Sequence, residues 1–259
     1  MCEAGRVDSD TWGVELARGR SWVWGLFVLP LVLVGVTAAY GAVIFDSLPH
    51  TLPTHWGVSG HPDAWGDRSF GTVFGPLLIA VGVTVVLAVA TLAVPLSMSR
   101  GGGADELPDA GDGWSAVRRE GLVRGMVAAG GLIATVVSAL VCAICVVSWR
   151  SAEMLPAWIF WVFFALLAVV LWGALAWGNR WSRRRCASLG LTPTAEEAQA
   201  DKLWVAGVLY NNPEDPQILV PKRYGIGYTV NIGSVGGRWM VFGFVAVLVV
   251  GFAVLGSLG

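Results

Sequence analysis

Five stretches of this chain, 22–45, 70–96, 122–147, 157–177 and 239–258, are apolar almost from end to end, and they decide what it can fold into. Each reaches the ~20 residues that a helix needs to cross ~30 Å of hydrocarbon. Lipid offers no water to unpaired backbone N–H and C=O groups, so a spanning segment must close its hydrogen bonds within itself, as a helix. Composition agrees: 55% of the 259 residues are hydrophobic and 14% are charged, against about a quarter charged in soluble domains. The expected fold class is an all-α polytopic membrane protein with five transmembrane helices. A cleaved leader is the competing reading of 22–45, with Arg18 and Arg20 as its basic flank. The run is too long for that, since a leader's apolar region has ~7–15 residues.

The basic residues then orient the spans. With the amino terminus in the cytoplasm, every Lys and Arg except Arg68 and Arg150 falls on the cytoplasmic side, as the positive-inside bias requires. The expected organisation begins with a cytoplasmic tail, 1–21, and a two-helix unit, 22–96, with an extracytoplasmic loop at 46–69. An acidic, glycine-containing cytoplasmic linker, 97–121, leads into a helical hairpin, 122–177. A cytoplasmic segment, 178–238, precedes a final helix, 239–259, which leaves the carboxyl terminus outside. Trp22 and Trp24, Trp149, Trp158 and Trp161, and Trp177 and Trp181 fall near the ends of the spans, where amphipathic rings settle at the membrane interface. Pro30 is expected to kink the first helix, and Gly71-x-x-x-Gly75 and Gly121-x-x-x-Gly125 permit close helix approach. Arg180, Arg183, Arg184 and Arg185 mark where the fourth helix surfaces, and they read as a topology anchor in preference to an anionic-lipid contact.

The segment 178–238 carries its own local signals. Thr194-Ala-Glu-Glu197 fits a capping box, predicting a short helix from about Ala195 to Lys202. Strand composition at 203–210 and 217–220, split by the turn-forming Asn211-Asn-Pro-Glu-Asp-Pro216, and alternation in Tyr224–Asn231 predict a small β module over about 203–231.

Few residues offer chemistry. The spans contain no Asp, Glu, Lys or His, and Arg124 at a helix end is their only arginine. That counts against proton-coupled transport, and leaves Thr37, Thr84, Thr91, Thr135 and Ser138 either to line a passive path or to bond their own helices. Cys142-x-x-Cys145 lies deep in the third span and reads as packing, and Cys2 and Cys186 lie in no outward loop. Gly101-Gly102-Gly103 lacks the Lys-Ser/Thr of a phosphate loop, and there is no nucleophile elbow and no basic stacking face for nucleic acid. No enzyme and no cofactor are expected. The loop 46–69 holds all three histidines, His50, His55 and His61, beside Asp63 and Asp67. Such a loop fits a zinc or copper site, a pH sensor or a turn shaped by Pro49, Pro53, Pro62, Gly60 and Gly66, and the turn is the expected reading.

Two motifs carry a resemblance. Leu48-Pro49…Pro53-x-His55…Gly60-x-x-Asp63-x-x-Gly66, between two apolar runs, resembles the motif of the bacterial and archaeal domain of unknown function 1648, over about Leu26–Val94. That family includes SdpI-type membrane proteins, so the resemblance implies toxin immunity and signalling through a cytoplasmic repressor, although the later helices depart from that type. Gly207-x-x-Tyr210-Asn-Asn-Pro-x-Asp215-Pro…Val220-Pro-Lys-Arg-Tyr-Gly-Ile-Gly227…Asn231 resembles domain of unknown function 5808, a module that accompanies the first. The expectation is an envelope sensing, signalling or immunity protein with the bilayer as its medium. His55, Gly60, Asp63 and Gly66 would recognise an envelope ligand or peptide toxin, and Asn212, Asp215, Lys222, Arg223 and Asn231 would dock a cytoplasmic protein. A small-solute transporter or permease component is the alternative.

Overall fold

A computed structural model describes residues 19–57, 59–100, 113–150, 154–156, 158–223 and 227–257. Most of the expected tail, Cys2, the acidic and glycine-rich stretch 101–112 and the Tyr224–Ile226 part of the last expected strand lie outside the described residues.

Helix α1, Ser21–Ser47, is followed by strands β1, Thr51–Trp56, and β2, Pro62–Asp67, and then by α2, Phe70–Arg100, α3, Gly113–Arg150, and α4, Trp158–Ser188. A short helix α5, Ala195–Lys202, leads into β3, Trp204–Val205, β4, Leu209–Tyr210, β5, Leu219–Pro221, and β6, Tyr228–Val230, before α6, Val235–Ser257. Helices α1 to α4 are long and apolar enough to cross a membrane, and a shorter apolar stretch, Val235–Val247, lies in α6. Val43, Leu78, Trp161 and Phe242 each expose most of their side chain. Such a surface would drive association in water, but it is the solvated side of a helix in hydrocarbon. The chain is a multi-pass, all-α membrane protein.

The helices run past the apolar stretches that announce them. Helix α3 begins at Gly113 rather than near 122, and α4 continues to Ser188 rather than ending near 177. Hydropathy excludes Arg118, Arg119, Glu120 and Arg180–Arg185 from a span, yet arginine and glutamate are good helix formers. Burial of Trp114 and Val117 against Cys186 holds these polar turns together. The linker expected over 97–121 is therefore helical up to Arg100 and again from Gly113. Helix α6 starts at Val235 rather than near 239, because the Ser234 hydroxyl accepts the Gly237 N–H at 3.0 Å, an N-cap. In α1, a 3-10 turn at Gly25–Phe27 stands just before Pro30, whose missing N–H disturbs the preceding turn.

Contacts divide the chain into two units. One comprises Met1–Val23, Thr91–Val127 and Gly173–Phe244, and the other Trp24–Ala90, Ala128–Trp172 and Val245–Gly259. In the second, Val34 of α1, Leu52 of β1, Val73, Leu77 and Ala80 of α2, and Cys142, Cys145 and Trp149 of α3 form a buried cluster. The two thiols are packing groups there. Trp149 belongs to this core and not to an interface belt: it is 5% exposed, and a Cβ on Gly41 would come within 2.7 Å of its ring. In the first unit, Gly121 and Gly125 of α3 face Gly178 of α4 so closely that a Cβ on Gly178 would stand 2.9 Å from the Gly125 Cα. By contrast, a Cβ on Gly75 would meet nothing within 4 Å.

The strand expected over 203–210 is broken in the middle. Ala206 and Gly207 both take positive φ, 53° and 75°, and Val208 N–H reaches Val205 C=O at 3.1 Å. A turn with two such central residues folds a strand back on itself, so β3 and β4 pair as a tight antiparallel hairpin. Strands β5 and β6 form a second one, joined to the first by a parallel bridge between Tyr210 and Asn231.

Candidate functional site

Two polar regions stand out, one in each unit. The first is the β1–β2 hairpin, a sheet where the sequence suggested only turns. Its strands pair antiparallel from Thr51↔Asp67 to Trp56↔Pro62, with irregular register around His55. Strand alternation is masked here by two prolines and by the bulge, which is why the apolar pattern did not reveal it.

Four contacts fix the hairpin within its unit. Leu52 is 1% exposed and enters the core. Ser148 of α3 donates its hydroxyl to Pro53 C=O at 2.9 Å. At the tip, Gly60 has φ +82°, and its carbonyl accepts the Leu155 N–H at 2.8 Å. A Cβ at Gly60 would collide with the Leu155 carbonyl, and one at Gly66 would come within 3.1 Å of the Thr54 methyl. At the base, Arg68 donates to the carbonyls of Asp46 at 2.6 Å, Leu48 at 3.0 Å and Phe45 at 3.2 Å. These groups lie at the end of α1, where carbonyls lack helical partners and a cation is favoured. Sequence reading left Arg68 unassigned, and its position just after a turn-rich loop gave no hint of this clamp.

Gly60 and Gly66 thus build the hairpin, while His55 and Asp63 are displayed by it. The His55 Nδ1 lies 2.6 Å from Asp63 Oδ1, and the side chains are 68% and 51% exposed. His50 and His61 are exposed as well. Among the described residues, no three His, Cys, Asp or Glu side chains gather as a metal site.

The second region is a buried charge cluster on the polar turns of α3. Glu120 is 6% exposed and receives two arginines: Arg20, through Nε at 3.1 Å and Nη2, and Arg124, through Nε at 2.9 Å. Arg124 also donates to Gly19 C=O at 3.2 Å, and its guanidinium lies 4.1 Å from the centre of the Trp181 ring. One turn away, Arg118 donates to Asn179, to Ser182 at 3.0 Å and to both oxygens of Asp201 at 2.8 and 3.1 Å. Arg223, just beyond β5, reaches the same carboxylate at 2.6 Å. Burial alone would raise the Asp201 carboxyl, but the two guanidiniums outweigh it and hold it below the usual carboxylate range. Helix α5 is fastened by the same logic. Glu197 completes the capping box with Thr194, and its other oxygen accepts the Ser115 hydroxyl of α3.

The β module is organised from within by Asn231, which is fully buried. Its Oδ1 accepts the N–H groups of Asn212 and Gly233, each at 3.0 Å, and its Nδ2 donates to the carbonyls of Asn212 and Asp215, each at 2.9 Å. Asn212 and Asp215 shape the intervening turns by accepting the N–H groups of Glu214 and Gln217. Of the docking residues named from sequence, Asn231, Asn212, Asp215 and Arg223 are thus engaged inside the fold, and Lys222 is exposed.

Of the hydroxyls in the spans, Thr37, Thr84 and Thr135 each donate to the carbonyl four residues earlier, at 2.8–2.9 Å, whereas the buried Ser138 hydroxyl has no partner among the described residues.

Residues 32–80 match a family described as Domain of unknown function (DUF1648), and residues 213–238 match a Family of unknown function (DUF5808). The matches stand in the order that the two motifs suggested, and each is shorter than, or shifted from, the stretch read from sequence. No curated protein and no solved structure matches the chain. The first match takes in the hairpin with the adjoining parts of its flanking helices, and the second takes in Asn231, Ser234 and the start of α6. An integral membrane protein with these two uncharacterised stretches is what geometry and comparison jointly support.

Proposed function

We propose that this is a non-enzymatic protein of the cytoplasmic membrane that senses an envelope ligand, either as a signalling receptor or in immunity to a peptide toxin. The hairpin is its recognition element, and the β module is the platform on which a cytoplasmic protein docks. In this reading α6 is a fifth span, the amino terminus is cytoplasmic, as the distribution of basic residues favours, and the carboxyl terminus is outside. The observation that carries this reading is the exposed His55–Asp63 pair on a hairpin pinned at tip, edge and base. A preorganised display loses little freedom on binding, and among the described residues these two side chains form no hydrogen bond or ion pair beyond their mutual contact. The engagement of Thr37, Thr84 and Thr135 with their own helices weighs against a polar transport path.

The test compares a strain lacking the gene with strains complemented by wild type, His55→Ala or Asp63→Ala, each challenged with a panel of membrane-active peptides. Wild type is expected to restore survival or the transcriptional response, and the two variants to fail at equal membrane abundance. If both variants respond as wild type does, the hairpin is a connector. Orientation has a separate readout. A membrane-impermeant maleimide applied to intact cells is expected to label Ser59→Cys and to spare Glu214→Cys, and the reverse pattern would overturn the topology.

A further inference from the structure

The arginines of α4 differ from Arg118 and Arg124 of α3 in having no carboxylate partners. Among the described residues, Arg20, Arg118, Arg124 and Arg223 are all in ion pairs, and Arg180, Arg183, Arg184 and Arg185 are in none. Helical spacing puts Trp177, Arg180, Trp181, Arg184, Arg185 and Ser188 on one face, and together they line an open groove. Arg183 projects from the opposite side of the helix. The groove's aromatic wall is held in place: Trp22 packs edge-on against Trp177 with ring centres 5.4 Å apart, and Arg124 stacks on Trp181. Arg180, Arg184 and Arg185 are exposed.

From this geometry we propose that the groove binds the phosphate headgroup of an anionic phospholipid. Two features select a lipid over a soluble anion. The groove occupies the turns of α4 immediately after its apolar run 157–177 ends, which is where a headgroup lies when its acyl chains follow that run. Its walls are indole rings, which settle at the headgroup level, while its floor supplies guanidinium forks suited to phosphate oxygens. The arginines therefore form a shaped site and not merely a charge that fixes topology.

The test uses the full chain purified in neutral detergent, incubated with equal amounts of phosphatidylglycerol and phosphatidylcholine, with retained lipid counted by native mass spectrometry. Wild type is expected to prefer phosphatidylglycerol by ~30-fold, the scale set by two basic side chains at an anionic surface. Arg180→Gln/Arg184→Gln should bring the two lipids near parity. Arg183→Gln, which removes the same kind of charge from the other face, should leave the preference intact. Arg180→Lys/Arg184→Lys, a variant that keeps the charge but loses the guanidinium forks, should keep only part of it. Equal loss in Arg183→Gln would mean diffuse charge and overturn the site. Displacement of the lipid by excess inorganic phosphate would make it a soluble-anion site, and absence of any preference in wild type would end the proposal.

Discussion

At the hairpin, His55 and Asp63 meet at 2.6 Å with 68% and 51% of their side chains exposed, whereas Arg118 and Asp201 meet at 2.8 Å with 8% and 21% exposed. The distances are alike and the consequences are not. A pair in water gains little, because solvent screens it and both side chains lose freedom. A pair withdrawn from water has already lost its hydration, so removing one member strands the other. Charges in the first region are therefore available to a ligand, and charges in the second are committed to holding α3, α4, α5 and the β module together.

The sharpest way to break this contrast is Glu120→Gln, which withdraws the carboxylate shared by Arg20 and Arg124. It is expected to destabilise the protein by about 3 kcal/mol, read as a lower unfolding temperature in detergent. Asn231→Asp comes next. It keeps the shape of the hub but turns two donors into acceptors facing the Asn212 and Asp215 carbonyls, at a cost of about 2 kcal/mol. Acid should act on the clasp at Asp201. Its folded pKa lies below the ordinary carboxylate value, so the folded form binds fewer protons than the unfolded chain. The clasp's contribution is complete above about pH 4 and is lost as pH falls through the depressed folded value. Asp201→Asn should flatten that acid limb of the unfolding temperature, whereas a limb between pH 5 and 7 that survives the substitution would place the sensitivity elsewhere. Smallest of all, His55→Ala should change stability by less than ~1 kcal/mol. A loss as large as that of Glu120→Gln would show the displayed pair to be structural after all, and the contrast between the regions would fail.

The membrane class of the fold was legible because hydrocarbon imposes one simple requirement, a long run of apolar residues, and the chain meets it openly. The Thr194–Glu197 cap was legible for the same reason: its partners are three residues apart. What escaped was non-local. Nothing near Glu120 in sequence points to Arg20, one hundred residues away, and Arg118 and Asp201 are 83 residues apart. The polar ends of those helices looked like linker because hydropathy cannot tell a buried, neutralised charge from a solvated one. The hairpin motif was read correctly as conformationally demanding, since Gly60 needs positive φ, but the strands it connects were hidden by their prolines.

The crossing of Gly121 and Gly125 with Gly178 also fixes an order of manufacture. Both helices leave the ribosome before residue 195, so their backbones can meet while the β module is still unsynthesised. Arg20, Glu120 and Arg124 are then already complete as a set, but Arg118 has only Asn179 and Ser182 to answer it until Asp201 emerges. A nascent chain halted between those points carries Arg118 without its anion. The segment made after α4 is thus the one that brings Arg118 its carboxylate.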